Sequence, residues 1–109
     1  MRTFHQSVRV VTYNIHKCRG LDRRVRPGRI VDILGEIDAD IVALQEVLSI
    51  EGPSREADQA RFIAEELGLD FAFGETRHLN GERHGNVILT RFPIHIRRNY
   101  DITAMGRKP

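Results

Sequence analysis

Two short apolar runs, each ending in polar side chains, stand one helix-length apart in this chain, and that layout favours a parallel strand–helix–strand unit. The first run, Val8 to Tyr13, is β-branched and aromatic and reads as a strand leading into Asn14-Ile15-His16. The second, Ile41-Val42-Ala43-Leu44, is continuous and apolar, the pattern of a strand buried on both faces, and it leads into Gln45-Glu46. Between them Ile30, Ile33, Leu34 and Ile37 recur at helical spacing, Pro27 suits a first helical turn, and Asp38-Ala39-Asp40 turns the chain. A right-handed crossover makes the two strands parallel, so Asn14 and Glu46 are expected at the same rim of the sheet. Rims at the carboxyl ends of strands are favoured places for sites in open α/β sheets.

The rest of the chain predicts a mixed sheet. Gly52-Pro53 breaks the chain and Ser54 is a suitable N-cap for a second helix, with Ala60, Ile63, Ala64 and Leu67 on one face and Gly68 as C-cap. Asp70 to Phe73 reads as a short strand, Asn80-Gly81 as a turn, and Asn86 to Thr90 as another apolar strand. Phe92-Pro93 then turns into a last strand from Ile94 to Arg98. The expected fold class is α/β (α+β): a mixed sheet with two helices on one face. The other face needs a covering layer that these residues do not supply, so the chain reads as part of a larger domain.

Several function classes are disfavoured. The 109 residues suffice for one small domain. No apolar run approaches the roughly 20 residues of a membrane span, and Met1 to Ser7 has no signal-like apolar core. A single cysteine, Cys18, allows no internal disulfide, which fits a reducing compartment and an expected cytoplasmic location. Phosphate-binding glycine loops of the P-loop and dinucleotide types are missing, as is a serine-nucleophile elbow. His16 and Cys18 are too few for a zinc site, His5 and His95 have no evident partner, and His78 and His84 flank a turn where solvent can reach them. Cys18 does sit among cations that can lower a thiol pKa, though no resolving cysteine or triad accompanies it.

What remains is oxygen-ligand chemistry. Mg²⁺ is typically held by one or two carboxylates and keeps several waters. A lone Glu46 with a neighbouring Asn14 amide suits such a sparse site, although either residue taken alone is more often a cap or turn residue. Lys17, Arg19, Arg23, Arg24, Arg26 and Arg29, opposed only by Asp22, form a run that attracts phosphates or, more simply, a solvated loop.

Three segments together resemble the endonuclease/exonuclease/phosphatase superfamily of deoxyribonuclease-I-like hydrolases: Thr12-Tyr13-Asn14-Ile15-His16-Lys17, Asp40 to Val47 (DIVALQEV), and Gly85 to Ile94 (GNVILTRFPI). The resemblance implies the N-terminal half of a four-layer α/β/β/α sandwich, so that residues 1–109 form a partial domain lacking its C-terminal half. It implies hydrolysis of phosphoesters (nucleic acid, phospholipid headgroups or small phosphate esters) with Mg²⁺ or Mn²⁺. Glu46 matches the family's metal-ligating Glu, Asn14 its site Asn, and His16 a place where some relatives carry an acidic residue near the metal. Gln45 supports the site, while Asn86 and Arg91 match a mainly structural segment, with Asn86 within reach of the cleft. The family's later D-x-N and closing D-H segments have no counterpart between Ile94 and Pro109, so this chain alone is expected to have little or no hydrolase activity. The alternatives are a non-catalytic remnant that binds phosphate-rich ligands, and a small domain that dimerises through its uncovered sheet face.

Overall fold

The computed structural model describes residues 7–52 and 54–95. Strand β1 (Val10–Asn14) crosses through helix α1 (Pro27–Ile37) to strand β2 (Ile41–Ile50). Helix α2 (Gln59–Leu67) follows, and then a hairpin of β3 (Asp70–Leu79) and β4 (Glu82–Thr90). The sheet order is β1-β2-β4-β3. β1 runs parallel to β2, and Asn14 pairs with Gln45 at the end of their register; β4 is antiparallel to both β2 and β3. This is the mixed, two-helix arrangement the sequence predicts.

Local chemistry accounts for the ends of each element. Pro27 occupies the first turn of α1, where its missing N–H leaves no bond unmade. Asp38 stops α1 in the left-handed region at φ 52°, a conformation that Asp tolerates better than most residues, and sends its N–H to Leu34 O. Gly68 ends α2 at φ 67°. Asn80 and Gly81 both have positive φ, as a tight hairpin turn between right-twisted strands requires.

The core lies between the helices and one face of the sheet. Ile30 and Leu34 of α1 and Ala60, Ile63 and Ala64 of α2 belong to one buried cluster with Val42, Leu44 and Val47 of β2 and Val87 and Leu89 of β4. The sheet's other face is open: Val10 is 63% exposed and Ile88 43%. β2 is therefore not buried on both faces, and Ile41 and Ala43 stay half-buried while Val42 and Leu44 are sealed.

Other expectations are corrected in detail. Ser54 does not cap α2; its hydroxyl accepts from Ala57 N–H and closes a separate 3-10 turn, Arg55–Ala57, ahead of the helix. Ile33 lies at the margin of the α1 stripe, 41% exposed. β2 and β3 each run to 10 residues, well beyond the runs ending at Leu44 and Phe73. The solvated placement expected for His84 fails, because its side chain is mostly buried and meets Glu82 at 3.4 Å. Ile94 and His95 form no regular strand, and the rest of the expected Ile94 to Arg98 strand lies outside the described residues, as does His5.

Candidate active site

At the end of β1, Ile15 N–H still reaches Gln45 O, at 3.1 Å. The chain then leaves the sheet through His16–Cys18, all three in the left-handed region (φ 50°, 57° and 61°). That conformation costs about 1–2 kcal/mol for a residue with a Cβ, so something must hold it. Asn14 Oδ1 accepts His16 N–H at 3.0 Å, and Ile15 O accepts Cys18 N–H at 2.9 Å. Cys18 is buried beneath the turn, and its carbonyl accepts Arg26 N–H. From α2, the buried Gln59 donates to Lys17 O at 2.7 Å.

β2 is irregular at the same level. Leu44 pairs with Val87 but Val47 pairs with Gly85, leaving Gln45 and Glu46 to face Asn86 in a bulge. Bulges re-aim side chains and bend the strand. Gln45 is fastened to the sheet by bonds to Thr12 Oγ1 and Ala43 O. Glu46 takes φ 55°, and its half-exposed carboxylate meets His16 Nδ1 at 2.9 Å. β3 carries a second irregularity between Glu75 and Arg77, also level with Gly85. A Cβ on Gly85 would lie 2.1 Å from Gly74 O, so only glycine fits this pinched point.

These irregular backbones surround a cleft of about 390 Å³ lined by Lys17, Glu46, Thr76, Arg77, His84 and Asn86. The structure thus joins His16 to Glu46 directly and Asn14 to the His16 backbone, with Asn14 and His16 outside the cleft lining. Asn86 does reach the cleft. Arg91 does not: it pairs with Asp38 (3.0 Å) and Asp40 (2.8 Å) at the far end of the sheet. Of the basic run, only Lys17 lines the cleft. Arg29 pairs with Asp22, and this hydrogen bond, with the Arg24 backbone N–H next, holds the Asp22 carboxyl below its ordinary range. The expectation of a lowered Cys18 pKa is overturned: burial pushes the thiol up from 9.0 to about 12, which leaves it an inert core group.

Sequence patterns did not single out Thr76, Arg77 or Gln59. The signal for Gln59 is present, since it falls four residues before Ile63 on the buried stripe of α2, where an uncompensated amide is costly. Arg77 and Thr76 gave none, because strand β3 reads as polar beyond Phe73.

A mixed sheet with two helices on one face carries an acid, an amide and an imidazole at its strand ends, and comparison identifies the family. Residues 11–108 match the model of the endonuclease/exonuclease/phosphatase family. The chain is 32% identical over 108 residues to the uncharacterised protein YbhP of Escherichia coli and of Shigella flexneri, a match that covers 92% of this chain and 43% of each relative. Among solved structures it superposes on an endonuclease/exonuclease/phosphatase from Beutenbergia cavernae with a TM-score of 0.60 and 30% identity, covering 79% of this chain and 26% of that one. A family protein from Leptotrichia buccalis gives a TM-score of 0.62 at 18% identity, covering 83% of this chain and 39% of that one, and supports the fold. The chain belongs to the endonuclease/exonuclease/phosphatase family, a family of phosphoester hydrolases, and spans less than half the length of the curated relatives it matches. Among the described residues, no helix is long and apolar enough to cross a membrane.

Proposed function

We propose that this chain supplies the metal-binding part of a divalent-metal-dependent phosphoesterase site, with Glu46 as the anchoring carboxylate. The observation that carries the reading is the bulge, which sets the Glu46 carboxylate beside His16 at the mouth of a cleft bearing Lys17 and Arg77. The donor set suits Mg²⁺ or Mn²⁺: one carboxylate, with Asn14 Oδ1 keeping a second lone pair beyond its bond to His16 N–H. Among the described residues no three His, Cys, Asp or Glu side chains cluster, so further ligands would come from elsewhere in the protein. When bound, the cation supplies Lewis-acid polarisation of a phosphoryl oxygen.

The protein's own groups do the remainder. Lys17 and Arg77 attract the phosphate into the cleft. The Asn14 amide nitrogen is a donor for a phosphoryl oxygen. His16 holds one carboxylate oxygen of Glu46 and fixes the direction of the other. The described cleft holds no second carboxylate, and the family resemblance places the water-activating residues in a later part of the protein, so these residues alone should hydrolyse little or nothing. The substrate is a phosphoester whose anionic group fits beside two cations.

The test is Glu46→Gln in the protein that carries this chain. Mg²⁺-dependent phosphodiesterase activity should vanish with the fold intact, and unchanged turnover removes the assignment. A non-catalytic phosphate binder makes the opposite prediction: binding of a phosphorylated polymer that falls steeply with salt, with no turnover in any divalent metal.

A further inference from the structure

Gln59 is the one side chain in the described residues that bonds both to the left-handed turn carrying His16 and to the bulged strand carrying Glu46. Its Nε2 donates to Lys17 O at 2.7 Å, and its Oε1 accepts Leu48 N–H at 3.0 Å. The residue is 2% exposed at the first turn of α2. Burying an amide is unfavourable unless both ends are paired, and here both are.

The geometry explains why an amide is needed. β1 stops pairing with β2 at Asn14 and Gln45, yet β2 continues to Ile50. Past that point no backbone ladder joins the turn to the strand. A backbone unit in the gap would offer one N–H and one C=O, and a glutamine side chain offers the same pair. Nearby bonds fix where this side chain stands: Ser49 Oγ accepts Ala60 N–H at 3.3 Å, and Ser49 bridges to Asp58, so the start of α2 is stitched to β2. Neither Lys17 nor Leu48 can shift without breaking a hydrogen bond to the buried Gln59.

We infer that Gln59 is a positioning residue that sets the His16–Glu46 contact by clamping the Lys17 carbonyl and the Leu48 amide together. The inference rests on the reading of Glu46 and His16 as site residues. It assigns the amino end of α2, which contributes no residue to the cleft lining, a role in the geometry of the carboxylate.

The experiment uses Gln59→Met in the protein that carries this chain, a change that keeps length and flexibility and removes both bonds. Nuclear Overhauser contacts between the His16 ring and the Glu46 side chain, present in the parent, should disappear. kcat should fall about tenfold or more, as expected for a misplaced group, while KM stays within about twofold. Ile63→Val, a cavity in the same helix, should lower thermal stability and leave both readouts as in the parent, which separates positioning from helix stability. Retained Overhauser contacts with unchanged kcat in Gln59→Met overturn the proposal. If that variant does not fold, Gln59→Glu decides: its carboxylate keeps the Leu48 bond and loses the donor to Lys17, so contacts and kcat should fall, and their persistence overturns it equally. Should the parent hydrolyse no phosphoester, the proposed function fails, and the Overhauser contacts alone decide the role of Gln59.

Discussion

The two ends of the β1–β2 pair are built from similar residues and organised in opposite ways. At the end where β2 begins, Arg9 N–H donates to Asp40 Oδ2, Arg91 Nε meets Asp40 Oδ1 at 2.8 Å, and Arg91 Nη2 meets Asp38 at 3.0 Å. Acids and cations there neutralise one another across three chain segments. At the other end, Lys17 and Arg77 enter no ion pair seen among the described residues, and Glu46 meets only an imidazole. The backbone differs too. Among the described residues, the stapled end has one left-handed residue with a Cβ, Asp38, at a helix stop where that conformation is common. The cleft end has four: His16, Lys17, Cys18 and Glu46. Spent charge and relaxed backbone suit a structural rim, whereas available charge and strained backbone are what the proposed function requires of a binding rim.

The largest test of that contrast is chemical. Glu46→Gln should reduce kcat by on the order of a thousand-fold, because a metal's charge stabilisation is worth several kcal/mol. Its urea midpoint should stay near the parent's, since the lost contact with His16 is half-exposed. A variant that loses stability and activity together would make Glu46 a structural residue and erase the difference between the ends.

Cys18 probes whether the cleft end is held from below. Burial raises the folded-state pKa to about 12 from 9.0, so folding favours the protonated thiol. That contribution is complete below pH 9, and it is lost as pH rises through the window from 9 to about 12, where the unfolded chain has released the proton and the folded chain has not. Stability should therefore fall by up to about 1.4 kcal/mol per pH unit across that window. Cys18→Ala should flatten the slope, and an unchanged slope would mean that the thiol is exposed in solution.

Gly85→Ala sharpens the contrast from the sheet side. The added methyl meets the Gly74 carbonyl, which is backbone and cannot swing away. A loss of about 1–3 kcal/mol is expected, typical of overpacking, and Glu46-dependent activity should fall with it. Retained activity at reduced stability would show that the pinch between the two bulges does not shape the cleft.

Much of the architecture is legible in the residue pattern, and the places where it is not are informative. The β1–α1–β2 crossover follows from apolar spacing alone, and with it the shared rim of Asn14 and Glu46. β2 is legible only as far as Leu44, because the bulge inserts an extra residue and puts Leu44 and Val47, three apart, on the same buried face. A period of two cannot continue across such a step. The same physics hides the second half of β3, whose register slips before Arg77. Gln59 escapes notice because a polar residue on an apolar stripe reads as a boundary until its two partners, distant in sequence, are known. The cleft depends on these irregularities, so the least periodic residues are the ones that shape it.

Arg91→Met addresses the stapled end. Its pair with Asp38 is exposed and its pair with Asp40 is partly buried, so removing both should cost about 1 kcal/mol, of which the Asp38 share weakens most with added salt. kcat and KM should remain within about twofold of the parent. A large loss of activity would couple the two rims and break the division of labour.

The smallest effect is the most direct measure of stored strain. Glu46→Gly and Glu46→Ala both abolish the carboxylate and its contact with His16, so their difference isolates the backbone. A left-handed residue with a Cβ costs about 1–2 kcal/mol. Glycine returns about 0.5–1 kcal/mol of that through its extra freedom in the unfolded chain. Glu46→Gly should thus be the more stable of the two by about 0.5–1 kcal/mol in urea unfolding, although neither has activity. The same comparison at Val42, which sits in regular strand between well-formed pairs, should favour alanine. If alanine is favoured at Glu46 as well, the bulge does not hold its residue in the left-handed region in solution, and the carboxylate is not aimed by the backbone.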